Sequence, residues 1–500
     1  MKDGSVRPDG VAPAVVWSAL GVLLTLRLFS LGLYPLMDNT EARYAEISRV
    51  MFSLGDWVTP WYETHVPFWG KPPLSFWITA ASFGVFGVNE FAARLPHFLA
   101  ALLVGWLVWG WSVRRSRQEA LTAVALLAGC SLMLLSAGAV MTDMTLAVGT
   151  TLTMRGFWLG LHGEEARRRR EGWLFFIGLA VGLLAKGPLV LVLAGLPLGL
   201  WTLLNRQLAR VWRDLPWIRG TLLILLLVGP WYAAAEIRTP GFLDYFLLGE
   251  HWHRFVTPGW TGDRYGVAHS APRGSIWVYG WVAVLPWSLL LPLAWWRWRK
   301  VPISRRAVLT TVPDDKPLWL YLALWSLAPA VFFTFAGNIL WTYVLPALAP
   351  LALLGAIWLG RYPEPRRVNR LLAGGLMLIS LLFAGFVGAL NLPQAEDWHT
   401  TRSLVARYDA LKTRHGDLVF YPERPYSAAF YSRGRAVEVV QPADLLARLT
   451  GQPAYLAVKT SAVTTLPEAV RSQLQFLARH GDYTLFSTGV AVSLAPRPGP

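Results

Sequence analysis

Charged residues are scarce in this sequence of 500 residues: only 15% are Asp, Glu, Lys or Arg, while 54% are hydrophobic. A soluble domain carries roughly 25% charged residues, so much of this protein's surface does not face water. Cysteine is almost absent, and within these residues the single Cys130 permits no intrachain disulfide and no cysteine metal site. The 27 tryptophans agree with a membrane location, because an indole ring with its N–H favours the membrane interface.

The formal net charge is +16, and many of the basic residues sit in short clusters between long apolar runs. This distribution is typical of cytoplasmic loops and argues against nucleic acid as a partner. The apolar run from Val11 to Leu33 is too long for a signal peptide, so we interpret it as a retained first helix. If the N-terminus lies inside, all dense basic clusters fall on one side and the C-terminal region lies outside. These clusters are 114–117, 167–170, 206–219, 297–306 and 361–370.

The apolar runs predict a multi-span α-helical membrane protein, since about 20 apolar residues are needed to cross the hydrocarbon core. We expect about eleven spans, and about 13 if two shorter stretches at 74–88 and 242–248 also cross rather than being re-entrant or interfacial. The predicted spans are 12–33, 92–113, 119–139, 143–161, 172–186, 188–204, 220–237, 275–296, 318–337, 341–360 and 370–390.

The domain organisation follows from where the apolar runs stop. Residues 1–390 form the predicted transmembrane domain, with two long outer segments at 34–91 and 238–274. Residues 391–500 are predicted to form a small α/β domain outside the membrane. Its expected strands are 417–421, 436–440 and 455–459, and its expected helices are 442–450 and 466–480.

Ionisable and polar side chains collect at the outer boundary of several predicted spans, where they can converge on one cavity. Such groups are costly near hydrocarbon and usually face a bundle interior or a water-filled site. They are Asp38, Glu41, Lys71, Asp143, Lys186, Glu250, His251, Arg254 and Tyr343.

Asp38 opens a predicted amphipathic helix suited to the membrane interface. The apolar face contains Tyr44, Ile47, Met51 and Leu54, and the polar face contains Arg43, Glu46 and Arg49. The structural interpretation of Asp38 is an N-cap, with Glu41 completing a capping box. The functional interpretation is a general base that accepts a proton from an acceptor hydroxyl. The two roles are compatible.

The two lysines admit two interpretations each. Lys71 precedes Pro72 and therefore lies on extended backbone, where it can meet a phosphate as a point charge or simply snorkel to the interface. Lys186, followed by Gly187 and Pro188 at a break between apolar runs, has the same two options.

Asp143 is either a helix cap or a second functional carboxylate. His251 and His253 have the spacing of a metal site, although interfacial histidines more often only form hydrogen bonds. Tyr343 begins a predicted span, where a tyrosine is usually an aromatic-belt residue.

An ordered set of motifs over about residues 1–360 resembles the GT-C membrane glycosyltransferases. The similarity is to the bacterial branch of the protein O-mannosyltransferase family that includes the lipid A aminoarabinose transferases. The motifs are Asp38-Asn-Thr-Glu-Ala-Arg-Tyr-Ala-Glu46, Gly55-Asp-Trp-Val-Thr-Pro60, Lys71-Pro-Pro73, Phe86-Gly-Val-Asn-Glu-Phe-Ala-Ala-Arg-Leu-Pro96, Thr142-Asp143, Ala185-Lys-Gly-Pro188, Glu250-His251, Arg254-Phe255, Thr342-Tyr343 and Leu345-Pro346.

The resemblance implies a GT-C fold with interfacial helices in the first outer loop, and a glycosyltransferase of the bacterial inner membrane whose active site faces outward. The implied donor is a sugar on a polyprenyl phosphate such as undecaprenyl phosphate, and the implied acceptor is a lipid or protein hydroxyl. Asp38 matches the catalytic residue and Asp143 a second carboxylate. The implied donor-phosphate ligands are Lys71, Arg254 and Tyr343, with Glu41, Arg43, Tyr44, Lys186 and His251 as additional site residues.

Two departures from the family pattern bear on specificity. Gly70 stands where the aminoarabinose transferases carry an acidic residue that pairs with the outer histidine at a divalent-metal site, so no metal is assigned to His251. The segment 338–343 lacks the lysine and proline that usually precede the tyrosine. Both departures leave the sugar and the acceptor open.

Two other functions use the same residues. A transporter or flippase of lipid-linked sugars would need the cavity without the chemistry, but internal repeats and midplane charges are not evident. A receptor or scaffold would leave the outer carboxylates and Lys71 without a role.

Overall fold

The computed structural model describes residues 13–63, 65–265, 269–298, 316–361, 364–392, 399–411, 417–449 and 454–488. Part of the predicted basic cluster at 297–306 and the predicted start of the first span at residue 12 lie outside these ranges. The chain divides into two compact units. The first contains Val50–Gly385 and the chain up to Leu31, and the second contains Gly32–Arg49 and the chain from Phe386 onward.

In its described residues the first unit is mainly helical, and it contains a short antiparallel hairpin of β1 (Trp61–Glu63) and β2 (Val66–Pro67). Its helices are Pro13–Ser30, Leu74–Phe86, Glu90–Ser112, Arg117–Ala128, Ser131–Ser136, Thr142–His162, Glu165–Lys186, Leu189–Leu204, Leu208–Asp214, Trp217–Arg238, Phe242–Asp244, Arg254–Val256, Ser275–Ala283, Trp287–Trp298, Lys316–Thr334, Leu345–Gly360 and Pro365–Leu390, with a π-helix at Tyr245–His253 and a 3₁₀ turn at Trp341–Val344. The last of the long helices ends in the second unit.

Helices or helix pairs lie at all eleven predicted spans, but fewer of them meet the requirements for crossing a membrane alone. In the described part of the chain six helices are long and apolar enough, or seven if Ser275–Ala283 and Trp287–Arg297, bent by 76°, count as one. Leu189–Leu204 is shorter than the roughly 20 residues that a crossing needs. The count of eleven therefore stays a prediction.

Two helices of the first unit pack with their backbones in contact. A Cβ on Gly156 would lie 2.4 Å from the amide nitrogen of Phe175, and one on Gly178 would lie 2.4 Å from that of Thr153. Only glycine permits this approach between Thr142–His162 and Glu165–Lys186. The close packing sets the first turn of one helix beside the last turn of the other, where Asp143 and Lys186 lie.

The second unit is a mixed five-stranded sheet with helices, in the order β4-β3-β5-β7-β6. Its strands are β3 (Asp417–Tyr421), β4 (Val437–Glu438), β5 (Ala454–Lys459), β6 (Leu474–His480) and β7 (Tyr483–Thr488). The pairs β3–β4 and β3–β5 are parallel, and β5–β7 and β6–β7 are antiparallel. Both faces of the central strands are buried, since consecutive residues such as Leu418 and Val419 point to opposite faces and belong to different core clusters.

The helices of this unit are Arg402–Leu411, Tyr426–Tyr431, Pro442–Leu449 and Glu468–Arg471, and the unit also holds the first part of Thr40–Leu54. The predicted helix over 466–480 is wrong beyond Arg471. Residues Leu474–His480 pair with Tyr483–Thr488 as an antiparallel hairpin. Leu, Gln, Phe and Ala fit a helix or a strand, and the available strand partner decides between them.

The Thr40–Leu54 helix is less amphipathic than predicted. Tyr44, Ile47 and Met51 are buried as expected, but Leu54 is 64% exposed. Glu46 is buried rather than on a polar face, because it forms an ion pair with Arg49 at 2.7 Å. The negative charge of Glu46, which was expected to face water, is therefore neutralised by Arg49 of the same helix.

Candidate active site

Lys71 and Arg254 share one carboxylate. The Lys71 Nζ donates to Glu250 Oε2 at 2.7 Å, and the Arg254 Nη1 donates to Glu250 Oε1 at 3.0 Å. Arg254 also lies 3.2 Å from Asp263 Oδ2. The Gly70 carbonyl accepts a second bond from Lys71 at 2.5 Å. Two of the predicted phosphate ligands therefore point at the same anionic group, and the four charges balance.

The Tyr245–His253 π-helix presents Glu250 to these cations. Such wide turns are rare and frequently occur at functional sites. Burial alone would raise the pKa of Glu250, but the charge of Lys71 and then that of Arg254 outweigh it and lower the pKa to about 2. Glu250 is therefore ionised at any physiological pH, and its carboxylate is a fixed negative charge between Lys71 and Arg254.

Asp143, Lys186 and Tyr343 form a second cluster. Lys186 Nζ donates to Asp143 Oδ1 at 2.6 Å and lies 4.7 Å from the centroid of the Tyr343 ring. Both charged side chains are buried, so Lys186 does not snorkel. Asp143 does not cap its helix either, because Met141 is the N-cap residue and gives no side-chain hydrogen bond. The contact with Lys186 orients the Tyr343 ring by a cation–π interaction.

The residues present do not fit the metal site of the family pattern. Both ring nitrogens of His251 face carbonyl oxygens: Nδ1 lies 2.7 Å from that of Phe246 and Nε2 3.2 Å from that of Lys186. A metal would need one of these nitrogens free. A side chain at Gly70 would put its Cβ 2.8 Å from the Phe68 ring. No group of three or more candidate ligands occurs among the described residues. His251 instead ties the π-helix to the end of Glu165–Lys186.

The segment 338–343, which lacks the family's lysine and proline before Tyr343, begins with Asn338. Its Nδ2 donates to the carbonyls of Arg254 at 2.6 Å and Thr257 at 2.9 Å, and its Oδ1 accepts from the Gly259 amide at 3.1 Å. This buried side chain thus fixes the backbone just after Arg254. Neither Asn338 nor Asp263 was predicted as a site residue, because their partners are distant in sequence or only become neighbours in the fold.

Asp38 belongs to the second unit, where both of its carboxylate oxygens accept hydrogen bonds from Ser427. The Ser427 amide donates to Oδ1 at 2.9 Å and its hydroxyl donates to Oδ2. The carboxylate therefore does not cap the following helix. Glu41 does reach back, since its Oε2 accepts from the Met37 amide at 3.1 Å. Burial raises the pKa of Asp38 to about 6, although the bonds from Ser427 oppose the rise.

The predicted site residues are divided between the two units. The first unit contains Lys71, Asp143, Lys186, His251, Arg254 and Tyr343. The second contains Asp38, Glu41, Arg43 and Tyr44. In the second unit the Arg43 guanidinium covers the Tyr44 ring at 5.3 Å and the Tyr426 ring at 5.6 Å. The structure groups the residues within each unit, and one cavity for all of them stays a prediction.

Comparison with known proteins identifies the family. The family model described as dolichyl-phosphate-mannose-protein mannosyltransferase matches residues 17–246. An undecaprenyl phosphate-α-4-amino-4-deoxy-L-arabinose arabinosyl transferase of an Enterobacter species is 31% identical over 79% of this chain and 68% of its own length. The chain belongs to this GT-C glycosyltransferase family. The Aeromonas salmonicida enzyme of the same name is 33% identical over 73% of this chain and 65% of its own.

Family membership extends to the fold as a whole. The crystal structure of ArnT from Cupriavidus metallidurans bound to undecaprenyl phosphate matches with a TM-score of 0.78 at 21% identity, covering 97% of this chain and 100% of that one. The GT-C membrane fold of a multi-pass bacterial protein is thereby confirmed. The matched region spans less than two thirds of the Aeromonas salmonicida and Pseudomonas fluorescens relatives, at 65% and 63%. The family model itself includes Asp38, Lys71 and Asp143 and ends before Glu250.

Proposed function

We propose that this protein transfers a sugar from an undecaprenyl phosphate donor to lipid A, on the outer face of the bacterial inner membrane. The observation that carries the proposal is the shared orientation of Lys71 and Arg254 on one anionic group. Two cations aimed at one point suit a phosphate that develops charge as the bond to the sugar breaks. The arabinosyl transferase names of the relatives suggest a 4-amino-4-deoxy-L-arabinose donor.

The proposed reaction is a direct displacement with inversion. An acceptor oxygen attacks the anomeric carbon, and the bond from that carbon to the phosphate oxygen breaks with its electron pair going to the phosphate. Lys71, Arg254 and Tyr343 hold the leaving phosphate. The acceptor proton passes to Asp38, whose raised pKa suits a general base near neutral pH. Asp143 forms an ion pair with Lys186 and supports the acceptor side of the site.

Asp38→Asn tests the proposal, because an amide has the shape of the carboxylate but cannot accept the acceptor's proton. We expect transfer to fall by roughly 10²–10⁴-fold. The assay incubates purified full-length protein with radiolabelled undecaprenyl phosphate-aminoarabinose and lipid A and measures labelled lipid A. Asp56→Asn is the matched control, since Asp56 lies in the same outer segment and binds Arg238.

Three outcomes separate the functions. Near-normal turnover by Asp38→Asn contradicts Asp38 as the base. Movement of labelled donor across proteoliposomes without labelled product would instead support a flippase. Labelled lipid A formed by the wild type and by Asp56→Asn, but not by Asp38→Asn, supports the transferase.

A further inference from the structure

One residue of the C-terminal region holds the carboxylate of Asp38. Ser427 is the second residue of the Tyr426–Tyr431 helix and is fully buried. Its amide and its hydroxyl donate to different oxygens of Asp38. A two-point contact from a single buried residue fixes both the position and the tilt of a carboxylate, as a single hydrogen bond cannot.

Thr401, Ser427 and Asp38 form a chain of hydrogen bonds in which each donor faces Asp38. The Ser427 Oγ accepts from the Thr401 amide at 3.0 Å and lies 2.8 Å from the Thr401 hydroxyl. A serine hydroxyl has one hydrogen, and Ser427 donates it to Asp38. The Thr401 hydroxyl must therefore donate to Ser427. A chain of donors that ends on a carboxylate favours its ionised form.

We propose that Ser427 is a positioning residue for the catalytic carboxylate: it holds both oxygens of Asp38, beside a backbone hydrogen bond from Tyr426, in an orientation that lets the carboxylate receive the acceptor's proton. This inference rests on the proposed function, because it takes Asp38 as the base. It also gives the C-terminal α/β region a part in the chemistry. Instead of serving only as a docking surface for partners, that region supplies the residue that orients the base.

Several titratable or charged groups surround Asp38 besides Ser427, and none of them changes in the variants below. Two observations place His399 and Tyr483 near Asp38: the His399 carbonyl accepts from the Asp38 amide, and the Asp38 charge acts on Tyr483. The surrounding groups are Glu41 and Arg43 on the following helix, His399 in the segment before Arg402, Glu423, Tyr426 and Tyr431 around the short helix, and Tyr483 on β7. A change in the titration of Asp38 in these variants therefore reports on Ser427.

The test compares the pH dependence of transfer by full-length wild type, Ser427→Ala and Ser427→Thr. The wild-type rate should rise with pH through a midpoint of about 6 as Asp38 ionises. Ser427→Ala loses one charge-assisted hydrogen bond, so its midpoint should move up by about one unit and its maximal rate should fall. Ser427→Thr keeps the hydroxyl and should restore the wild-type midpoint.

Ser432→Ala is the matched control. Ser432 is a buried serine just after the same short helix, and its hydroxyl binds the backbone of Ala429 and Ala436. Its loss should lower stability without moving the midpoint. A second readout needs no substrate: the carboxyl band of Asp38, isolated by infrared difference spectra against Asp38→Asn, should show the same order of midpoints.

An unchanged midpoint in Ser427→Ala would overturn the proposal whatever its rate. If that variant does not fold, Thr401→Val removes the hydroxyl donor behind Ser427 and keeps the amide donor; a smaller upward shift supports the proposal and no shift overturns it. Full activity of Asp38→Asn would instead contradict Asp38 as the general base. The infrared midpoints would still decide whether Ser427 affects the titration of the Asp38 carboxyl group.

Discussion

At the scale of single residues, we expect Glu250 to set how tightly the proposed site holds a phosphate. Its carboxylate accepts hydrogen bonds from the N–H groups of Lys71 and Arg254, for which an incoming phosphate would compete. The product of the proposed reaction is a free polyprenyl phosphate, which must leave. When the phosphate leaves, the Glu250 carboxylate can again accept hydrogen bonds from Lys71 and Arg254. This lowers the free-energy cost of product release.

Glu250→Gln should therefore bind undecaprenyl phosphate more tightly and turn over more slowly. Removing one negative charge beside two cations should lower the Kd by roughly tenfold, a modest part of the Coulomb energy available at this distance. Titration of tryptophan fluorescence with undecaprenyl phosphate measures the Kd. Asp263→Asn removes a charge from beside Arg254 but not from beside Lys71, and should give a smaller change. Weaker binding by Glu250→Gln would show that Glu250 only positions the cations.

The residues that could be predicted are those whose signal is local or shared with the family. Lys71 stands before a proline pair, and Glu250 and Arg254 are four residues apart in a helical segment. Ser427 carries no such signal: it is 389 residues from Asp38 in sequence, and an isolated serine in an α/β region looks like any other. Its role depends on which segments fold together.

At the scale of elements, glycine contacts determine whether Asp143 can meet Lys186. The helices Thr142–His162 and Glu165–Lys186 were predictable from their length and apolar content, but their separation was not. That separation depends on which glycines face the partner backbone, as Gly156 and Gly178 do. The same limit explains the error over 466–480, where pairing with β7 overrode a local preference that fitted two structures.

Gly178→Ala should destabilise this helix pair. The added Cβ would lie 2.4 Å from the Thr153 backbone nitrogen, which cannot move without its helix. We expect a loss of about 1–3 kcal/mol in the free energy of unfolding, as for other overpacked contacts, together with weaker activity as Asp143 and Lys186 separate. Scanning fluorimetry in detergent measures the melting temperature.

Gly199→Ala provides the control for this prediction. Gly199 also lies within an apolar helix, but a Cβ there meets nothing within 4 Å. Alanine favours helix by about 1 kcal/mol over glycine, so this variant should be at least as stable as the wild type. Equal melting temperatures for the two variants would mean that the close contact does not limit stability.

At the scale of the whole molecule, charge patterning predicts sidedness that no single helix reveals. The arginine clusters alternate with the candidate site residues along the chain, so the positive-inside pattern predicts that the clusters lie in the cytoplasm and the carboxylates outside. The number of crossings is harder to predict, because Leu189–Leu204 and the bent pair at 275–297 are too short or too broken to cross as single straight helices.

This sidedness can be tested by cysteine labelling, because Cys130 is the single cysteine in the sequence and is buried. Arg167→Cys places a thiol in a predicted inner loop, and Glu423→Cys places one in the unit that contains Asp38; both side chains are largely exposed. A membrane-impermeant maleimide added to intact spheroplasts should label Glu423→Cys at once and Arg167→Cys only after permeabilisation. The reverse order would put Asp38 on the cytoplasmic side, away from an outer-leaflet acceptor, and the proposed transfer could not occur there.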